Sequence, residues 1–222
     1  MNFPECVLLA VTYLGTASFV LDISGTRILT DPGDLFTDRF SQKKARTLHD
    51  VDLILVTHSD LDHTNRLGLI PGVAGIHTMA PSSVHERFPG LRIITDEKHS
   101  VKGITITALR SVLGVRHGIP HRSYAIDYGD LSICFLGDAY ELVDWPERTP
   151  DVLFVTIGGC EADAERAMKL VGLLKPAAVV PMHWEVLFRS DRKARKFQRA
   201  MKERFPAIRC VVPAFDTPFG VR

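Results

Sequence analysis

Where the apolar run VDLILV ends, the chain reads Thr57-His58-Ser59-Asp60-Leu61-Asp62-His63, placing four side chains able to bind a metal within six positions. Imidazole nitrogens and carboxylate oxygens are donors for divalent ions, and burying them without partners is costly. Three later stretches each bring one more such side chain. LSICFLGD ends in Asp138, AAVVPMHW delivers His183, and His117 stands in the loop before SYAI. His58, Asp60, Asp62, His63, His117, Asp138 and His183 together suffice for two metal ions sharing a carboxylate. Such a pair activates water near neutral pH for attack on an ester, lactone or phosphodiester. No GxSxG elbow is present, and Cys134 is predicted to lie inside a strand, so a side-chain nucleophile is not expected.

Strand ends are needed to hold these residues, and the carboxyl ends of strands are where α/β proteins bind ligands. VLLAVTYLG, TASFVLDIS and TRILTDP are short β-rich runs parted by glycine turns, an antiparallel meander. VDLILVTH predicts a strand buried on both faces, and HTNRLGLIPG after it has helical spacing closed by Pro-Gly. VAGIHTMAP, LRIITD and ITITALRS predict strands, with a short helix over SSVHERF. In SYAIDYGDLSICFLGD a Gly129-Asp130 turn pairs Tyr128 with Leu131, Ile126 with Ile133 and Tyr124 with Phe135. Extended outward, that register sets His121 opposite Asp138. The last third reads strand DVLFVTIGG, helix EADAERAMKLVGLLK, strand AAVVPMHW, helix SDRKARKFQRAMKERF and strand IRCVVPA. Meander then strand–helix, twice over, predicts an α/β protein with two sheets face to face and helices outside, a four-layer α/β/β/α sandwich. No linker or repeat divides residues 1–222, so one domain is expected.

The 222 residues are 45% hydrophobic and 24% charged, which supports a substantial core and excludes disorder and disulfide-framework folds. Lys+Arg at 27 against Asp+Glu at 26 gives +1, no ground for expecting a nucleic-acid or membrane-surface protein. One local patch exists. Residues 189–204 carry eight basic side chains against Asp191 and Glu203, a local +6 that leaves −5 for the remainder. Ala194, Phe197, Met201 and Phe205 recur there at helical spacing, so an amphipathic helix with a solvated basic face is expected; RNA or DNA is the alternative partner. Cys6, Cys134, Cys160 and Cys210 form no CxxC pair and read as reduced thiols of a cytoplasmic protein. CVLLAVTYLGTASFVL follows MNFPE, which has no Lys or Arg, and reads as two strands rather than a leader. No other stretch approaches the roughly 18 unbroken apolar residues of a membrane span.

Taken in order, the motifs resemble the metallo-β-lactamase superfamily of metal-dependent hydrolases, in its small lactonase-like and RNase Z-like branches. ILTDPG resembles the family's first strand motif, VTHSDLDH its HxHxDH motif, and HGIPHRSYAI the HxVPxxGYRI stretch. FLGDA matches the GD motif, and TIGG with LLKPAAVVPMHW the closing strand and final histidine; the match spans Tyr13 to Trp184. The resemblance implies two divalent ions (zinc, manganese or iron). One would be held by His58, Asp60, His117 and Asp138, the other by Asp62, His63, Asp138 and His183, with Asp62 and Asp138 as the catalytic carboxylates. It implies Asp31 beneath the site, orienting a ligand histidine; a turn residue before Pro32 is the other reading. His121 is a candidate for contact with substrate, with a metal or with the ligands, a polar loop residue being the other reading, and Arg122 is a candidate for contact with substrate or with the ligands.

Three departures matter. Asp60 stands where the family has its second histidine, which favours harder ions such as manganese or iron, or leaves a degenerate, non-catalytic metal-binding domain. Thr16 replaces a frequent histidine. Arg110 stands where some close branches carry the third-motif histidine, so His117, His121 and Arg110 all remain candidates for that position. Specificity falls to loops 33–46, 116–122 and 140–145, where Arg39, Lys43, Lys44, Arg46, Arg116 and Arg122 offer a site for an anionic group on a small-molecule substrate. No insertion is long enough for the tRNA-binding arm of RNase Z-like enzymes.

Overall fold

The computed structural model describes residues 9–113, 118–159, 163–185 and 191–221. His117, Arg116, Arg189, Cys6 and Cys160 lie outside the described residues. The chain opens with the expected meander: β1 (Leu9–Gly15), β2 (Ser18–Ile23) and β3 (Thr26–Thr30) are antiparallel neighbours. β4 (Leu53–Leu55), β5 (His77–Met79) and β6 (Arg92–Ile94) then add in parallel. Side chains alternate across this first sheet as a period of two requires. Ile28, Leu53 and Leu55 join the main core between the sheets, while Leu29, Ile54 and Val56 face a second, smaller core. Short helices α1 (Gln42–Ala45), α2 (Leu61–Thr64) and α3 (Ser82–Arg87) accompany this half, and Ala45 and Val84 are buried in the smaller core.

β7 (Lys98–Val101) and β8 (Ile104–Val112) start the second sheet, which continues through β9 (His121–Tyr128) and β10 (Leu131–Phe135). The hairpin has the predicted register, Tyr128 with Leu131, Ile126 with Ile133 and Tyr124 with Phe135. β11 (Glu141–Leu142) pairs with β8, and β12 (Val152–Thr156) runs parallel to β10. After helix α4 (Ala164–Leu174), β13 (Ala178–Met182) lies parallel to β12. Helix α5 (Arg192–Arg204) leads to β14 (Arg209–Cys210), and β15 (Phe219–Gly220) returns to the first sheet beside β1. Strand order is β15-β1-β2-β3-β4-β5-β6 in one sheet and β11-β8-β9-β10-β12-β13-β14 in the other, with β7 on β8.

Helix α5 buries Ala194, Phe197 and Met201 and leaves its basic side chains outside, the amphipathic arrangement expected of that segment. Two local expectations change. The helix read over HTNRLGLIPG shrinks to α2, followed by 3-10 turns at Leu67–Leu69 and Val73–Gly75. The reason is tertiary: the Arg66 N–H donates to the Pro32 carbonyl (2.9 Å) rather than to the carbonyl one turn back. IRCVVPA yields only the two residues of β14, while β7, β11 and β15 form where no alternation marks them. Among the described residues no helix is long and apolar enough to cross a membrane.

Candidate metal centre

The centre forms where the ends of β4, β10 and β13 meet. Each of these strands is fully buried, so the polar residue that follows is carried to the seam between the sheets. His58 and His63 arrive from the first sheet, Asp138 and His183 from the second, and all four are buried. Two groups of donors gather: His58, His63 and Asp138 in one, Asp62, His63 and His183 in the other, the donor atoms of each within 4.8 Å of one another. His63 belongs to both. The Asp138 Oδ2 lies 3.4 Å from His63 Nε2 and 3.6 Å from His183 Nε2, so this carboxylate faces both groups. Asp62 Oδ2 approaches His183 Nε2 at 3.2 Å and His63 Nε2 at 3.9 Å.

Asp31 sets the protons on the first-sheet side. It is fully buried and accepts from the Thr57 N–H (2.7 Å) and the Thr57 hydroxyl (2.8 Å), with His63 Nδ1 at 2.9 Å. A carboxylate only accepts, so a neutral His63 carries its hydrogen on Nδ1. The Thr57 hydroxyl spends its one hydrogen on Asp31, so its oxygen, 2.9 Å from His58 Nδ1, must accept from that ring. In its neutral form each imidazole therefore keeps its Nε2 lone pair for the centre, the proton being held on Nδ1 by the partner behind the ring, as at metal-binding histidines. On the other side the Thr156 hydroxyl reaches Asp138 Oδ1 at 3.0 Å, leaving Oδ2 for the histidines.

The backbone is forced at these positions. Asp31 (φ +35°) and His183 (φ +63°) occupy the left-handed region, and the His183 N–H donates to the Thr16 carbonyl at 2.9 Å. A Cβ on Gly137 (φ +57°) would stand 2.5 Å from Thr57 Cγ2, and one on Gly158 only 2.1 Å from the His183 carbonyl oxygen. Glycine is required at both by space.

Electrostatically the centre calls for a cation. Burial raises the Asp62 and Asp138 carboxyls, yet the neighbouring imidazoles outweigh it, bringing Asp62 down to about 2 and holding Asp138 well below the carboxylate range. Conversely, burial lowers His63 and His183, but the carboxylates, Asp138 foremost, raise both above the ordinary histidine value. The buried Nε2 atoms of His63 and His183 nonetheless have no aligned hydrogen-bond partner, although carboxylate oxygens surround them. Buried nitrogens without partners, facing ionised carboxylates, form a donor set that fits a divalent ion.

The remaining candidates separate. Asp60 sits at the rim, its side chain 28% exposed and its Oδ2 3.7 Å from His58 Nε2, outside both close groups. His121 is buried, with its ring centroid 5.2 Å from that of His58. Burial above all pushes its pKa well below the usual value, which keeps the ring neutral. The Arg122 N–H donates to the Thr57 carbonyl (2.9 Å) and its guanidinium to the Asp96 carbonyl (3.4 Å). Arg110 is turned away to the surface, where it grips both oxygens of Asp144 (2.8 and 2.7 Å). Sequence reasoning missed Thr57, Thr156, Ser111 and Ser123, the hydroxyls that bond to the ligand candidates. Of these only Thr57 carried a signal, by its place between a buried strand and His58.

The family described as Beta-lactamase superfamily domain matches residues 10–183. A UPF0173 metal-dependent hydrolase of Pyrococcus horikoshii is 29% identical, over 90% of this chain and 96% of its own length. Another from Pyrococcus abyssi is 30% identical, over 80% of this chain and 85% of its own. In fold, the chain superposes on Igni18, a metallo hydrolase from Ignicoccus hospitalis, with a TM-score of 0.74 at 20% identity, covering 96% of this chain and 99% of that one. The chain belongs to the Beta-lactamase superfamily domain family, and so to the metallo-β-lactamase superfamily of metal-dependent hydrolases.

Proposed function

We propose that this chain is a two-metal hydrolase of small molecules, cutting an ester, lactone or phosphodiester bond. The observation that carries the reading is the convergence of Nε2 atoms whose protons Asp31 has placed on the far side of the rings. His58, His63, Asp62, Asp138 and His183 would hold the ions, with Asp60 closing the rim and Asp138 shared between them; the resemblance adds His117. Zinc suits the imidazoles, and the oxygen-rich rim extends the choice to manganese or iron. When bound, such ions supply Lewis acidity and a water whose pKa falls toward 7.

The protein's own part follows from its geometry. Asp62, ionised and 17% exposed, stands between the buried histidines and solvent, where its free oxygen accepts a proton from an attacking water. Asp138, fixed by Thr156, keeps its second oxygen on the histidines throughout. Leu61, between the two rim carboxylates, and Tyr140, two residues past Asp138, are exposed apolar groups, 45% and 42%, which supports a substrate with an apolar portion. Two of the cations that suggested an anionic substrate, Lys44 and Arg39, are engaged elsewhere. Lys44 pairs with Asp216 at 2.6 Å, and the Arg39 guanidinium lies 4.5 Å from the Phe215 ring centroid.

Both sheets contribute to the centre, which supports reading the chain as one domain. Cys134 and Cys210 are unpaired, as a reducing cytoplasm keeps thiols. Metal analysis of the purified chain, with ester, lactone and phosphodiester substrates assayed before and after chelation, tests the reading. Activity restored by a divalent ion supports it; fewer than one bound ion per chain with no activity overturns it. Salt-sensitive RNA binding lost on charge reversal of Arg195, Lys196 and Arg199 would replace it with a nucleic-acid role.

A further inference from the structure

We propose that His121 is a metal ligand on the His58 side of the centre, with Ser111 and Ser123 as positioning residues that keep its proton on Nδ1. The inference rests on the metal-dependent reading above and completes it at the position that sequence left open among three residues. Of those three, Arg110 is committed to Asp144 on the surface, and His117 lies outside the described residues. His121 opens β9 directly across from Ser111 of β8. Its ring centroid is 5.2 Å from that of His58, which is in turn 4.1 Å from that of His63. The His58 ring thus neighbours both other imidazoles. Like His63 and His183, His121 has a buried Nε2 with no hydrogen-bond partner.

A count of hydrogens shows what that nitrogen offers. Ser123 Oγ lies 2.9 Å from the Leu136 carbonyl and 3.0 Å from Ser111 Oγ, and Ser111 Oγ lies 2.7 Å from His121 Nδ1. The carbonyl can only accept, so the single hydroxyl hydrogen of Ser123 goes there. A contact between two hydroxyls works in either direction, so Ser111 donates to Ser123 and has no hydrogen left for the ring. His121 must then donate Nδ1–H to Ser111, which leaves a lone pair on Nε2. This is the only assignment that makes all three contacts hydrogen bonds. It repeats, with a serine pair and a carbonyl, what Thr57 and Asp31 do for His58. Two independent relays thus place the proton on Nδ1 and leave the Nε2 lone pair free to bind an ion in two neighbouring rings, although His121 stands outside the two donor groups that already lie within 4.8 Å.

The test uses the full chain titrated with cobalt(II) against a competing chelator, read as affinity and as the ligand-field absorption of the bound ion. His121→Ala is expected to weaken uptake at least about tenfold and to change the absorption, while circular dichroism of the metal-free chain stays as in wild type. His121→Asn, which keeps a polar group toward Ser111, serves if the alanine variant does not fold, with the same expectation. Ser111→Ala should weaken uptake less and keep the wild-type band, and imidazole nitrogen NMR of the zinc-loaded wild type should find the His121 proton on Nδ1. Wild-type affinity and absorption in both His121 variants would overturn the assignment, as would their loss in His117→Ala instead. A wild-type chain that takes up no cobalt overturns the metal-dependent reading itself, and this inference with it.

Discussion

The centre holds His58 and His63 by one means and His183 by another. His58 and His63 are fixed through their side chains, each Nδ1 tied directly or through Thr57 to Asp31. His183 has no aligned partner on either ring nitrogen. Its main chain is what is fixed: a left-handed φ, an N–H bound to the Thr16 carbonyl, and Gly158 closed against its carbonyl oxygen. One side of the centre has its tautomers set before any ion arrives. The other sets where the ring is and leaves the ring proton to be settled by what binds.

If that contrast is sound, the effects of substitution should be graded along it. His63→Ala removes the one imidazole common to both donor groups and should cost more than about 100-fold in metal affinity by chelator competition, since even outer partners cost 10–100-fold. Affinity near that of wild type would mean the two groups do not act together. Asp31→Asn sets an amide among donors at Thr57 and His63 and should cost about 10–100-fold, because either amide orientation leaves a donor facing a donor. Thr57→Val keeps the methyl packed against Gly137 and unlinks His58 alone, so a loss near the lower end, about tenfold, is expected. Gly158→Ala should act through the backbone, destabilising the metal-free chain by about 1–3 kcal/mol in denaturant unfolding while leaving the His63 tautomer seen by NMR unchanged.

The smallest effect belongs to Arg110→Ala, which should leave metal content unaltered because this side chain faces Asp144 and solvent. Its signature is electrostatic. The Arg110 hydrogen bonds hold the Asp144 carboxyl down to about 2, so the pair's contribution is present above the ordinary carboxylate value near ~3.9 and lost as pH falls through about 2. In the variant the Asp144 titration, followed by carboxyl NMR, should move up toward the ordinary value.

What could be read from sequence was whatever a strand imposes on its neighbours. Period-two alternation set the β9–β10 register correctly to the residue, because a slip of one would have turned Tyr124 and Ile126 out of the core. Buried strands ending in His58, Asp138 and His183 marked the seam for the same reason. The hydroxyls were illegible. Ser111, Ser123 and Thr156 act through neighbours distant in sequence, and nothing in their local pattern separates them from Ser or Thr facing solvent. The α2 region failed for a related reason: the Pro32 carbonyl diverts a helical N–H across 34 positions that no window of periodicity spans.

The split of the donors between two sheets has a consequence for how the protein assembles. Most of the pairing within each sheet joins strands close in sequence, so either sheet can form from local contacts, whereas the donors meet only when the sheets dock. Metal capture therefore clocks the last event of folding. A pulse of ion given during refolding should be taken up after β-structure is complete, in step with the burial of Tyr124 where its hydroxyl donates across the seam to the Val56 carbonyl.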